Sequence, residues 1–264
     1  MINICKKITD YVSASPHRLT QRDIIREMSR QFSAPRKEIN AALRSLLEAS
    51  ELVYSYIDGH SFVEASLEKA VRITERVVLK PPNISYQLRS NEVLISIQSG
   101  ASFGSGSHPT TRLALGAIEF ALSKASFFRK TRALDIGTGS GVLAIAAVMM
   151  GIDAAIGIDI DPCARAEAAE NVRLNQLEKQ IDIRDQDIET ISDKFALILA
   201  NLRYPTLKSL YPKITALTET GGIVVVSGIH EDELSDLLSC YAPNFVCEWQ
   251  KSEKNWSAAV FQKK

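Results

Sequence analysis

Residues 133–151 read ALDIGTGSGVLAIAAVMMG, and this stretch decides the fold. The apolar residues up to Asp135 predict a strand. The alternating Gly137, Gly139 and Gly141 predict a turn, and the apolar run after them predicts a buried helix. A strand that enters a helix through a glycine turn opens many nucleotide-binding α/β sheets. A plain structural strand–helix turn remains the other reading. The dinucleotide fingerprint needs a sixth-position glycine, where this chain has Val142. The Gly-Lys-Ser/Thr ending of a triphosphate loop is also absent.

The flanking pattern alternates strands and helices. Strands are predicted near 132–136, 153–159, 180–185, 195–201 and 222–228. A helix over about 109–125 precedes them, and FVCEWQ and WSAAVFQ close the chain as two more strands. The expected fold class is therefore α/β, a doubly wound, seven-stranded Rossmann-like parallel sheet.

Asp135, just before the turn, would repel a pyrophosphate and suits a ligand with positive groups. S-adenosylmethionine carries a sulfonium and an ammonium, and glycines without Cβ let the backbone approach it closely. Asp159 ends the second strand, where a carboxylate can accept hydrogen bonds from ribose hydroxyls. Asp161-Pro162 reads as the cap of the next helix. Asp187, beyond the third strand, is a candidate for the adenine amine or an ordinary surface carboxylate. GASFGSGSHPTT (100–111) reads as a loop entering a helix, with Thr110 and Thr111 placed to hold a carboxylate; His108 is a capping residue or a base. In ILANLRYPTL, Asn201 ends an apolar strand at the edge where such sheets bind ligands, and Tyr204 follows.

The first 66 residues differ. Three helical patterns, near 2–14, after Thr20 to Phe32, and from Pro35, precede ELVYSYI and HSFVEA, which flank Asp58-Gly59 as a hairpin. This is a winged helix-turn-helix pattern. Arg36, Lys37, Asn40 and Arg44 are the polar residues of its third helix. Nine Lys/Arg against eight Asp/Glu make a faint nucleic-acid footprint, so RNA or DNA contact and docking of a protein both stay open. Residues 67–99 read as a strand-rich connector and 100–264 as the catalytic domain.

The 264 residues carry no net charge, 45% are hydrophobic and 23% charged, which excludes disorder and a bulk nucleic-acid coat. None of the four cysteines has zinc-ligand spacing, so no metal is expected. The longest apolar run, 142–152, is too short to span a bilayer. A cytoplasmic protein with reduced thiols and no membrane contact is expected.

FGSGSHPTT, DIGTGSG, AIGIDIDP and the Asn201 strand end, in this order, resemble the ribosomal protein L11 methyltransferase (PrmA-like) family over roughly residues 93–264. The resemblance implies S-adenosylmethionine as cofactor and methyl transfer to amino groups of a protein. It places Thr111, Gly137, Asp159 and Asn201 on cofactor contacts, and Phe103 and His108 in the loop over it. Asn201 and Tyr204 are the expected catalytic residues. Phe103, Thr111, Asp135, Gly137, Gly139, Gly141, Asp159, Asp187 and Asn201 are the expected cofactor residues. Arg203 and Tyr204 depart from the family pattern after the asparagine, and the winged-helix pattern differs from the family's small α/β recognition domain. Alternative readings are an RNA or small-molecule methyltransferase, and a DNA-binding regulator that senses the cofactor.

Overall fold

The computed structural model describes residues 4–15, 18–49, 51–57, 60–66, 69–98, 108–124 and 131–264. The expected Asp58-Gly59 turn and residues 99–107, with Phe103, lie outside the described residues. The chain divides into two compact units, Met1–Lys69 and Ala70–Lys264.

The first unit holds α1 (Ile4–Ala14), α2 (Gln21–Phe32), α3 (Arg36–Glu48) and the antiparallel pair β1 (Leu52–Ile57) and β2 (His60–Ala65). Thr20 caps α2 through a reciprocal box. Its hydroxyl accepts from the Asp23 amide, and Asp23 accepts from the Thr20 amide. Pro35, expected in the first turn of α3, sits one position earlier as its N-cap. Ile8, Ile24, Met28, Ile39 and Leu43 are buried at helical spacing and share one core with Leu52 and Val63. The Val63 amide donates to the Leu19 carbonyl at 2.7 Å, so a short segment before α2 pairs with the hairpin.

The second unit opens with β3 (Val71–Arg72), β4 (Val77–Lys80) and β5 (Val93–Ser96). The stretch 71–79 is split because Thr74 turns the chain, its hydroxyl accepting from the Val77 amide at 2.9 Å. There follow α4 (Pro109–Lys124), β6 (Arg132–Ile136), α5 (Val142–Met149), β7 (Ala154–Ile158), α6 (Pro162–Leu174), β8 (Ile181–Arg184), β9 (Phe195–Asn201), α7 (Tyr204–Leu217), β10 (Thr218–His230), α8 (Leu234–Tyr241), β11 (Phe245–Glu253) and β12 (Trp256–Lys263). The sheet order is β11-β12-β10-β9-β6-β7-β8.

The sheet is mixed, not wholly parallel as expected. β12 runs antiparallel to both β10 and β11, because β11 and β12 form a hairpin. Alternate side chains of the strands face opposite ways and build two cores. Ala133, Leu197, Leu199 and Val225 pack with α4, α5 and the three-stranded sheet. Leu134, Ile198, Ala200 and Val226 pack with α7 and α8. From β6 the chain winds outward through β7 and β8, then returns to β9 on the other side. The crevice between β6 and β9 is therefore the topological switch point.

Phe195, at the start of β9, is fully buried in the second core. Phe195→Ala is expected to destabilise the unit by about 3–5 kcal/mol, the cost of a large core cavity. Urea unfolding followed by tryptophan fluorescence measures it, and a change below about 1 kcal/mol would contradict this packing.

Candidate active site

The glycine turn between β6 and α5 is built on backbone conformations that other residues resist. Gly137, Gly139 and Gly141 have φ of 69°, 55° and 79°. At Gly137 a Cβ would also lie 2.6 Å from the Leu202 side chain, so the turn after β6 touches the chain leaving β9. The Gly137 and Thr138 amides both donate to the Ile158 carbonyl, tying the turn to β7.

Asp135 lies beneath the turn and is completely buried. Its Oδ2 accepts from the Thr138 hydroxyl at 2.7 Å and from the Ala144 amide at 3.2 Å, inside the first turn of α5. Its Oδ1 has no hydrogen-bond partner among the described residues. Burial pushes this carboxyl up to about 7. The two hydrogen bonds oppose that shift, and the nearby Asp159 carboxylate adds to it.

Asp159, just past β7, braces the turn from the side. Its Oδ2 accepts from the Gly139 amide at 2.9 Å and its Oδ1 from the Asp161 amide at 3.0 Å. Asp161 caps α6, accepting from the Cys163 amide, as the sequence predicts. Ile160, between the two acids, is 98% exposed. Sequence reading passed over it. An isoleucine left bare beside the acid at a strand's carboxyl end offers an apolar shelf for a flat ring. Asp187 is exposed beyond β8 and caps a short 3-10 turn through the Glu189 amide.

On the other side of the crevice, Asn201 is the last residue of β9. Gly228 makes room for it, since a Cβ there would lie 3.1 Å from Asn201 Oδ1 and 2.5 Å from the Leu202 carbonyl oxygen. Tyr204 begins α7 and packs its ring on the α7–α8 core. Its hydroxyl is buried with no partner among the described residues. Thr111, in the first turn of α4, is fully buried, and its hydroxyl also has no partner among them. The buried Ser227 hydroxyl donates to the Thr110 carbonyl at 2.9 Å, fixing the start of α4 against the carboxyl end of β10. His108 Nδ1 and the Thr110 hydroxyl are 2.8 Å apart, and the imidazole packs edge-on to Trp256. Burial, helped by the Lys254 ammonium, holds His108 below the ordinary imidazole range.

The structure thus brings the glycine turn, Asp135, Asp159 and Asn201 to the carboxyl ends of three adjacent strands, β7, β6 and β9. Ser227 links the start of α4, and with it Thr111, to the neighbouring β10. Asp187 stands farther out, past the edge strand β8, and Tyr204 is turned into the helix core. A separate groove of about 920 Å³ runs along α4, lined by Arg76, Arg112, Glu119 and Trp249 among others, and does not include the glycine turn. No helix among the described residues is long and apolar enough to cross a membrane.

A seven-stranded mixed sheet with this turn at its switch point is typical of Rossmann-like methyltransferases. The chain belongs to the ribosomal protein L11 methyltransferase (PrmA) family, whose model matches residues 42–264. The match starts well before the region that carries the resemblance in the sequence and takes in the end of the first unit. The chain is 34% identical over 194 residues to a ribosomal protein L11 methyltransferase of Heliobacterium modesticaldum, covering 73% of this chain and 60% of the relative. It is 32% identical over 200 residues to that of Geobacter sp. strain M21, covering 74% and 64%. It thus spans less than two thirds of the length of either relative. A crystal structure of a ribosomal protein L11 methylase from Lactobacillus delbrueckii subsp. bulgaricus superposes with a TM-score of 0.66 at 27% identity, over 74% of this chain and 99% of that one.

Asp135 carries a pH signature. An acid whose folded pKa lies above its unfolded value binds more protons when folded, so stability falls as pH rises between the two values. The ligand-free protein is expected to lose on the order of 4 kcal/mol between about pH 4 and pH 7 through this group, from its rise to about 7. Urea unfolding across that range should show the slope, and Asp135→Asn should flatten it. An equal slope in the variant would remove Asp135 as the source.

Proposed function

We propose that the chain is an S-adenosylmethionine-dependent methyltransferase that acts on amino groups of a protein. The observation that carries this reading is the placement of the glycine turn and Asn201 on the two sides of the β6/β9 switch point. The residues present fit the cofactor. Two fully buried side chains near the start of α4 and beneath the turn, Thr111 and Asp135, keep polar oxygens without partners among the described residues, as a site completed by a polar ligand would.

In this reading Thr111, in the first turn of α4, holds the methionyl carboxylate through its unpartnered hydroxyl, and Asp135 faces the positive end. Gly137, Gly139 and Gly141 admit the nucleoside, Asp159 takes the ribose hydroxyls, and Ile160 supports the adenine. Asp187 reaches for its amine, and Phe103 belongs to the loop above. Bound S-adenosylmethionine supplies an electrophilic methyl group on sulfur. The protein's task is to set an amine nitrogen about 3 Å from that carbon and to exclude water. The Asn201 side-chain carbonyl orients the amine by accepting its N–H. Tyr204, whose ring packs on the α7–α8 core, holds the start of α7 beside Asn201 instead of lining the pocket. A lysine acceptor must first lose a proton, and desolvation in a lined pocket favours its neutral form.

Residues 1–66 serve as a winged-helix recognition domain, 67–99 as a connector and 100–264 as the methyltransferase domain. The three helices, the hairpin and the Leu19–Val63 bridge support the winged-helix reading. Ribosomal protein L11 is the acceptor that the relatives' names suggest. An RNA acceptor is the second reading, because α3 exposes Arg36, Lys37 and Arg44.

Incubation with methyl-labelled cofactor, purified L11 and ribosomal RNA from a strain lacking this protein tests both. Label on L11 amines is expected. Label on RNA would shift the acceptor class, and label on neither would sink the activity. Asp159→Ala should weaken calorimetric binding of S-adenosylhomocysteine by roughly 1–3 kcal/mol, the scale of lost charge-assisted hydrogen bonds. Unchanged affinity would take Asp159 out of the site. Reversing Arg36, Lys37 and Arg44 together to glutamate should lower turnover on the macromolecule and leave cofactor affinity within about twofold.

A further inference from the structure

The segment from Asp159 to Asn171 grips three successive residues of the glycine turn. Asp159 accepts from the Gly139 amide at 2.9 Å. Asn171, buried in α6, donates its side-chain amide to the Ser140 carbonyl at 2.9 Å. Ala168 packs so close to Gly141 that a Cβ added there would lie 3.2 Å from its methyl group. Asn171 then does a second thing. Its carbonyl oxygen accepts from the Gln98 amide at 2.9 Å, just past the end of β5. One turn of helix later, Asn175 treats Ser96 as a strand partner would. Its oxygen accepts from the Ser96 amide at 2.9 Å, and its nitrogen donates to the Ser96 carbonyl at 2.7 Å. The outer edge of β5 is thus paired by side-chain amides of α6 instead of by another strand.

The two asparagines differ in one respect. Asn175 contacts β5 and its own helix. Asn171 contacts β5 and the glycine turn at once. An amide buried so fully, with both ends used, has little freedom to shift, and loss of either partner leaves a backbone group unpaired in the interior. We propose that Asn171 is a positioning residue for the cofactor, holding the Ser140 carbonyl so that the Gly139–Gly141 backbone keeps its ligand-ready path and registering that path against the end of β5. The inference rests on the cofactor reading above and adds a residue that makes no contact with the reacting atoms.

The consequence is a coupling that packing alone does not supply. Ligand held by the turn should steady the Gln98 amide through Asn171, and removal of Asn171 should break that link. Asn171→Asp separates the two contacts. The carboxylate still accepts from Gln98 but sets an oxygen against the Ser140 carbonyl. Asn171→Ala loses both contacts. Asn175→Ala removes a comparable set of hydrogen bonds and leaves the turn alone.

The experiment measures S-adenosylhomocysteine affinity by calorimetry in the full-length chain and its three variants. Hydrogen exchange of the peptide covering 93–98, with and without that ligand, is measured in parallel. Asn171→Ala and Asn171→Asp are expected to bind about tenfold or more weakly, and Asn175→Ala within about twofold of the parent despite a similar fall in melting temperature. The ligand should slow exchange of that peptide in the parent and in Asn175→Ala but not in Asn171→Ala. If Asn171→Asp fails to fold, the comparison of the two alanine variants decides. Equal losses of affinity in the two alanine variants, or unchanged affinity in Asn171→Ala, would overturn the positioning role while leaving the cofactor reading intact. A parent protein that does not bind S-adenosylhomocysteine would overturn the cofactor reading and this inference with it.

Discussion

The chain reversal between β6 and α5 is the constraint on which the site depends. Three glycines in the left-handed region, at alternate positions, turn the backbone within a few residues, and the Gly137 and Thr138 amides hold it to the end of β7. A side chain at Gly137 would strike Leu202, and one at Gly141 would press on Ala168. The turn is therefore defined as much by what must be absent as by what is present. Everything that reaches it arrives from a different element: Asp135 from beneath, Asp159 from β7, Asn171 from α6 and Leu202 from the end of β9. The fold supplies these elements, and the turn gives them a common point.

Much of this was legible in the sequence because the informative residues sit where local pattern changes. Gly137, Gly139, Gly141, Asp159 and Asn201 all lie at ends of apolar runs, and a strand's end can be read from its own composition. Thr20 and Asp161 were legible as caps for the same reason, since each precedes a helical period. The direction of β12 was not, because an apolar run has no arrow. The hairpin that reverses it turns through Lys254 and Asn255, both at positive φ and neither a glycine, so the usual turn signal is missing. The region that carries the family resemblance also began later in the sequence than the family match, which starts at residue 42.

The unread part of the site consists of residues whose meaning is tertiary. Asn171 and Asn175 look like ordinary polar positions on a helix until β5 is placed beside them. Ser227 lies within an apolar strand and gives no hint that its hydroxyl reaches the start of α4. Gly228 reads as a weak spot in a strand, whereas in the sheet it is the bulge that leaves room for Asn201. Ile160 is the reverse case. An isoleucine between two aspartates would be assumed inward, and only its exposure marks it.

The choice of ligand charge follows from how the first turn of α5 is used. In dinucleotide-binding sheets the free amides at this helix terminus receive a phosphate. Here the chain brings its own carboxylate to that end, since Asp135 accepts from the Ala144 amide and from Thr138. An incoming phosphate would find that amide taken and a buried acid behind it, with Asp159 adding a second negative group at the rim. A cationic ligand meets the opposite situation. Its charge favours the ionised form of Asp135 that burial disfavours, so the cost of burying the carboxylate is recovered when the ligand binds. On the reading proposed above, one buried aspartate converts the glycine turn that serves a pyrophosphate elsewhere into a site for a positively charged nucleoside.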